Sequence, residues 1–169
     1  RQAINARIEF LQKFFRKDKK IYVMDFDAIN YFKDDERADF GEKTLKKHLK
    51  DKRILCLGTE LTSAEKTLGN FTDSPVSYLS LPLLINACND GLADEIVRMI
   101  SDEYFSDEDF RKYDLIFLAS SGLHLKKDFF KKYFADKSSN IEIFSNTDAI
   151  LEDYDYKKEN YIRDYFYVT

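Results

Sequence analysis

Tryptophan is absent from this 169-residue chain, and proline, glycine and cysteine are scarce at two, five and two residues. So little proline and glycine excludes a long disordered linker or a low-complexity region. Two cysteines are too few for a disulfide framework. Cys56 and Cys88 lie in the stretches Ile54-Leu55-Cys56-Leu57 and Asn86-Ala87-Cys88-Asn89 and read as core thiols in a reducing, cytoplasmic compartment. Histidine is limited to His48 and His124, and these do not join the cysteines at a zinc spacing. No apolar run approaches the ~20 residues of a membrane span, and no signal peptide is apparent, so no membrane partner is expected. Gly-x-Gly-x-x-Gly and the Gly-Lys-Ser/Thr phosphate loop are both missing, which excludes those devices for nucleotide binding. A net charge of −4 gives no overall attraction to nucleic acid, so such binding would rest on local basic patches and metal ions.

What is present is a globular composition, 44% hydrophobic and 34% charged, with a length that suits one domain with its own core. The stretch Lys19-Lys20-Ile21-Tyr22-Val23-Met24-Asp25-Phe26-Asp27-Ala28-Ile29-Asn30 organises the reading. The apolar run Ile21–Met24 suits the central strand of a parallel sheet, covered on both faces. Asp25 and Asp27 follow at once and would point the same way if the strand continued. Ligands of open α/β sheets bind outside the carboxyl ends of the strands. Two acids leaving a buried strand need a metal, a partner or water. The alternative is that one caps the following segment and the other is solvated.

The rest of the chain alternates strand and helix patterns. Apolar positions Ile4, Ile8, Leu11, Phe14 and Phe15 are spaced for a helix over 2–17. A strand is expected at 20–26, an acidic loop at 32–40, a helix at 42–50 and a strand at 53–58. A short helix at 62–68 leads to turn chemistry at 70–75 and a strand at 76–81. Asn89 to Ile100 reads as a helix with Leu92, Ile96, Met99 and Ile100 on its apolar face, and Asp90 and Asp94 one turn apart. These acids, with Glu95, either join the site or complement the helix dipole. Ser106 is the expected N-cap of a turn at 106–112. Tyr113–Gly122 is the clearest strand, followed by a helix carrying Leu125, Phe129, Phe130, Tyr133 and Phe134. Strands are expected at 140–144 and 161–168. Basic clusters at 16–20, 46–53 and 126–132 are solvated helix faces or contacts for an anionic partner. The pattern implies βαβ units. We expect a single three-layer α/β domain over 1–169, with a central, mostly parallel sheet of about five strands flanked by helices. Within it, 1–18 is an N-terminal helix, 19–145 the core and 146–169 a C-terminal extension. The chain begins with Arg rather than Met, which fits a piece of a longer protein whose further domains would be partners.

An apolar strand ending in Asp, a helix opening Gly91-Leu92-Ala93-Asp94-Glu95, and a strand ending Ala119-Ser120-Ser121-Gly122 with Asp128-Phe129 and Ile141-Glu142-Ile143-Phe144 beyond it resemble the PIN-like nucleases, especially their NYN branch. The resemblance covers about residues 20–145. It implies a PIN-like fold and a metal-dependent endoribonuclease, a hydrolase of single-stranded RNA. Asp25, Asp27 and Asp94 would be the catalytic residues and, with Asp90 and Glu95, the ligands of Mg²⁺ or Mn²⁺, hard cations that favour oxygen. Asn30, Ser120, Ser121 and Lys126 would contact RNA. The chain departs from the family at Ser121 and Gly122, where a third acid belongs. Weak or lost activity, or an inactive RNA-binding or scaffold module, is therefore an alternative.

Asp25-Phe26-Asp27 also resembles the haloacid dehalogenase-like phosphatases. That likeness implies Asp25 as nucleophile, Asp27 as acid or base, Ser120 as the hydroxyl, and Lys126 or Lys127 as the phosphate-binding cation. The family's downstream Gly-Asp-x-x-x-Asp is absent, although Asp148 and Asp153 lie in that region.

Overall fold

The computed structural model describes residues 20–137 and 140–154, together with Lys13. Strands β3 (Ile54–Gly58), β4 (Val76–Ser80), β5 (Leu115–Leu118) and β6 (Glu142–Ser145) form one parallel sheet in the spatial order β4-β3-β5-β6. Every residue of β3 and β5 is buried. That double-sided burial is why both read as unbroken apolar runs rather than alternating ones.

Successive side chains on these strands serve opposite faces. Leu55, Leu57, Ile116 and Leu118 enter one core, against α4 (Pro82–Asn89), α5 (Asp94–Tyr104), α6 (Ser121–Leu125) and α7 (Lys127–Ala135). Ile54, Cys56, Leu115 and Phe117 enter the other, against α1 (Ile29–Phe32), α2 (Glu42–Leu49) and α8 (Asn146–Asp153). Helix α3 (Glu60–Glu65) connects β3 to β4. The result is the expected three-layer α/β domain with a parallel sheet between helices. No described helix is long and apolar enough to cross a membrane.

The expected central strand at 20–26 is displaced. Only Ile21–Tyr22 is strand (β1), and it pairs in parallel with β2 (Ala38–Asp39) in a separate two-stranded ribbon. The chain leaves the extended conformation because the Asp25 carboxylate accepts from the Asp27 amide at 3.1 Å and caps a 3₁₀ turn, Phe26–Ala28. Such local side-chain bonds compete with a sheet ladder. Phe26 is then fully buried, edge-on to Phe117 at 5.1 Å.

Other boundaries also moved for identifiable reasons. Pro82 opens the additional helix α4 at its first turn. Asp90 caps the end of α4 and Gly91 turns the chain at φ +67, so α5 begins only at Asp94. Asp90 and Asp94 are therefore not one turn apart on a single helix. The 3₁₀ turn Phe110–Lys112 is capped by Asp109 rather than Ser106. The single helix expected through 125–134 is two helices meeting at Lys126. Apart from Lys13, the helix at 2–17 lies outside the described residues, as does the strand at 161–168.

Gly58 ends β3 where Thr62 of α3 closes down on the strand. A Cβ on Gly58 would lie 2.8 Å from both Cβ and Oγ1 of Thr62, inside van der Waals contact. Gly58→Ala is therefore expected to cost roughly 1–3 kcal/mol, the usual range for overpacking, read as a lower urea midpoint at unchanged slope.

Candidate functional site

The chain visits β3, then β4 on one side, then β5 and β6 on the other. Its connections thus diverge between β3 and β5. In open parallel sheets this switch point opens a crevice at the carboxyl ends of the two strands, where ligands bind. Here those ends are Gly58-Thr59 and Ala119-Ser120-Ser121.

Asp25 and Asp27 lie across this point. Asp27 belongs to the β3 side. It accepts from the Thr59 hydroxyl at 2.5 Å and from the Thr62 hydroxyl on its other oxygen. Asp25 belongs to the β5 side, where its Oδ2 accepts from the Ser121 hydroxyl at 3.2 Å. The two acids have the edge location expected of them, but they are delivered by a turn laid over the sheet rather than by a sheet strand. Thr59 also caps α3, its Oγ1 accepting from the Thr62 amide at 3.2 Å.

Burial and, next, the negative charge of Asp27 push the Asp25 carboxyl above the ordinary aspartate value of 3.8. Bonds from the Asp27 amide and from Ser121 offset only part of this. No described lysine or arginine makes an ion pair with Asp25 or Asp27. Both cysteines are free and buried. Burial raises each thiol, Cys88 to about 11, with Asp27 raising Cys56 further. Neither is poised as a thiolate near neutral pH. Asp25 is left as the group at this edge whose titration is drawn toward neutrality.

The other expected site residues lie elsewhere or have other work. Asp94 is exposed, and Lys126 reaches it at 2.8 Å, so acid and cation neutralise each other. Glu95 and Asp90 are exposed. Asn30 donates to Glu65 at 2.6 Å and Thr67 at 3.3 Å, clipping α1 to the end of α3. Ser120 is buried at the end of β5 and precedes Ser121. Among the described residues, no three His, Cys, Asp or Glu side chains converge on a point that could hold a metal ion. The expected Mg²⁺ or Mn²⁺ shell of Asp25, Asp27 and Asp94 with Asp90 and Glu95 does not fit this arrangement. Asp25 and Asp27 supply only two carboxylates, and Asp94 is spent on Lys126.

Sequence reasoning passed over Thr59 and Thr62. A strand ending in Gly-Thr before a helix was the available signal, since threonine at that place caps the helix and faces the strand ends. An open groove of about 860 Å³ lies at the opposite, amino edge, beside Lys46, Lys52 and Arg53. Those three cations are neutralised by Glu42, Glu142 and Asp114, Lys50 also lines the groove, and the groove lies away from the switch point.

No family model matches the chain, and none of the curated proteins matches it. Among solved structures it is similar to glutamate racemase from Thermus thermophilus in complex with β-chloro-D-alanine, at TM-score 0.65 and 15% identity, over 89% of this chain and 59% of that one. It is similar also to glutamate racemase from Campylobacter jejuni subsp. jejuni, at TM-score 0.66 and 18% identity, over 94% of this chain and 67% of that one. The chain thus spans about three-fifths of the first of these structures. At such identities the likeness establishes the fold. It overturns the PIN-like and NYN resemblance and, with it, the ribonuclease, RNA-binding and scaffold readings. The phosphatase reading falls on the same finding, and so do Mg²⁺ and Mn²⁺ as cofactors.

The raised Asp25 value has a defined sign in stability. The folded chain holds a proton on Asp25 that the unfolded chain has released, so stability falls as pH rises from 3.8 through the higher folded value. Asp25→Asn removes this cost. Its melting temperature is expected to exceed the wild type's at about pH 7 and to converge with it near about pH 3, measured by calorimetry across that range.

Proposed function

We propose that this chain binds a small amino acid at the Asp25–Asp27 edge and moves a proton at its α-carbon, as an isomerase does. The observation that carries the reading is Asp25 itself, a carboxyl raised by burial and by Asp27, without a paired cation among the described residues, at the switch point of a parallel sheet. Two acids that no described lysine or arginine pairs suit the ammonium end of an amino acid, through charge-assisted hydrogen bonds. A carboxyl whose pKa is drawn toward the working pH suits proton transfer. In the forward step Asp25 as carboxylate takes the α-proton, and the electron pair left on carbon spreads into the substrate carboxylate. Return of a proton to the same face restores the substrate, and delivery to the other face inverts it. Hydroxyls and amides of the turns after β3 and β5 would steady the charge that develops.

The structural neighbours support this reading, because both are racemases of an amino acid by name and one is bound to an amino-acid analogue. Those chains extend well beyond the shared part. In this proposal another domain or subunit supplies the remaining wall of the substrate site. The two buried free thiols support a reducing, cytoplasmic setting.

The test is incubation with L- and D-glutamate, aspartate and alanine separately in D₂O, followed by proton NMR and chiral chromatography. The expected result is loss of the α-proton signal for at least one acid, unaffected by chelator. Asp25→Asn should lower the rate by about 10²–10⁴, the usual worth of a general acid or base. Absence of exchange with all three acids overturns the reading.

A further inference from the structure

Inverting a carbon centre takes two proton-transfer groups, one on each face. Asp25 accounts for one. A further oriented titratable group stands beside the carboxyl end of β6, the strand next to β5. His124 stands on α6, one turn beyond the Ser121 that holds Asp25. Its Nδ1 lies 2.8 Å from the Ser145 hydroxyl. Ser145 is the last residue of β6, level with Leu118 at the end of β5. Its hydroxyl donates in turn to Asp148 at 2.7 Å, and the other oxygen of Asp148 meets the Lys127 ammonium at 2.5 Å. With the Ser145 proton committed to Asp148, the hydroxyl is left as acceptor for Nδ1–H. The lone pair of the imidazole is then on Nε2. This is how an orienting partner selects a histidine tautomer.

A path of helix spacing, chain links and hydrogen bonds joins this histidine to Asp25. Ser121 and His124 are neighbours on α6, about 5–6 Å apart at Cβ for such a spacing. His124 leads to Ser145, and Ser145 is followed by Asn146. Asn146 is 1% exposed and donates from Nδ2 to the Val23 carbonyl at 2.6 Å, two residues before Asp25. Among the described residues its Oδ1 has no partner. A buried unpaired amide oxygen is costly, and it sits on the segment that links the two acid–base groups.

We propose that His124, oriented by the Lys127–Asp148–Ser145 chain, is the second proton-transfer residue of the site, serving the substrate face opposite Asp25. The inference rests on the proton-transfer reading given above. One direction begins with Asp25 as carboxyl and His124 neutral. His124 Nε2 takes the α-proton, the electron pair passes into the substrate carboxylate, and Asp25 delivers its proton to the other face. The opposite direction begins with Asp25 as carboxylate and His124 as imidazolium, and the same atoms move in reverse. The groups around His124 suit the first starting state. Burial lowers its pKa below 6.5, Asp148 and Asp128 raise it, and Lys127 and Lys131 lower it, with a net fall. That leaves the ring neutral while Asp25 is drawn toward its protonated form.

The test compares His124→Gln, Ser145→Ala and wild type on L- and D-glutamate in D₂O, each variant first shown to melt cooperatively. His124→Gln is expected to lose α-proton exchange by at least about 100-fold for one enantiomer. Exchange of the other enantiomer should be kept within about tenfold, and calorimetric affinity within about threefold, as for a group acting in the chemical step. Asp25→Asn should show the opposite enantiomer preference. In Ser145→Ala the ring keeps its place on α6 but loses its acceptor, so ¹⁵N NMR should show mixed tautomers and the pH profile of kcat/KM should shift. Wild-type exchange that survives His124→Gln with both enantiomers overturns the role of His124 and leaves the proton-transfer reading standing. No exchange in the wild type overturns that reading and this inference with it. A ring that carries its proton on Nε2 in the wild-type spectrum overturns the orienting chain on its own.

Discussion

The placement of the candidate site depends on one constraint: two carboxylates two residues apart must each find donors at the end of a buried sheet. Asp27 finds them after β3, in Thr59 and Thr62, and Asp25 finds them after β5, in Ser121. The intervening Phe26 is fully buried between Phe71 and Phe117. This apolar anchor holds the turn down while the flanking acids face the strand ends. The turn thereby bridges the point where the sheet's connections diverge, the place such a sheet offers for a ligand. A buried aromatic side chain is worth several kcal/mol against truncation. That is enough to hold two acids of like charge side by side, a repulsion that Asp25 registers as a raised pKa.

The layer arrangement was legible because it follows from burial alone. Ile54–Leu57 and Leu115–Leu118 are apolar on both faces and can only be central strands of a covered sheet. The run Ile21–Met24 carried the same signal, yet it forms a two-residue ribbon strand. Its partner Ala38–Asp39 is also partly exposed. A four-residue apolar run does not distinguish a central strand from a segment laid over one. The edge position of Asp25 and Asp27 was legible, since acids that follow an apolar run must emerge at the end of an element. Their partners were not, because a threonine hydroxyl has no sequence pattern until the turn that aims it is known. Asp90 and Asp94 looked coupled by spacing. Gly91 at φ +67 separates them, and a single glycine in an otherwise helical run is a weak signal.

The PIN-like resemblance failed for a related reason. It rested on the order strand–acid, helix–acid, strand–serine. Every doubly wound sheet repeats strand and helix in that order, and acids at strand ends and helix starts are favoured on general grounds. The order therefore carried little information about family. What the resemblance required was that the acids converge, and Asp94 meets Lys126 rather than Asp25.

The two edges of the sheet divide the electrostatic work. At the amino edge Asp114 and Glu142, beside the starts of β5 and β6, each have a cation. Arg53 grips Asp114 through two nitrogens and holds it at about 2, well below the usual range. Burial alone would raise Glu142, but Lys52 and His48 outweigh it and bring the carboxyl down. His48 also stacks on Phe144 at 4.1 Å, tying α2 to β6. These carboxylates contribute stability that is present above their unfolded values and lost as pH falls through the folded ones. The exposed Arg53–Asp114 pair contributes little of it because water screens it. Asp25, at the carboxyl edge, has the reverse sign and costs stability as pH rises. An arrangement serving stability alone would have a cation there as well. Among the described residues Asp25 and Asp27 have no ion-pair partner at the switch point, where an incoming ammonium would relieve their repulsion.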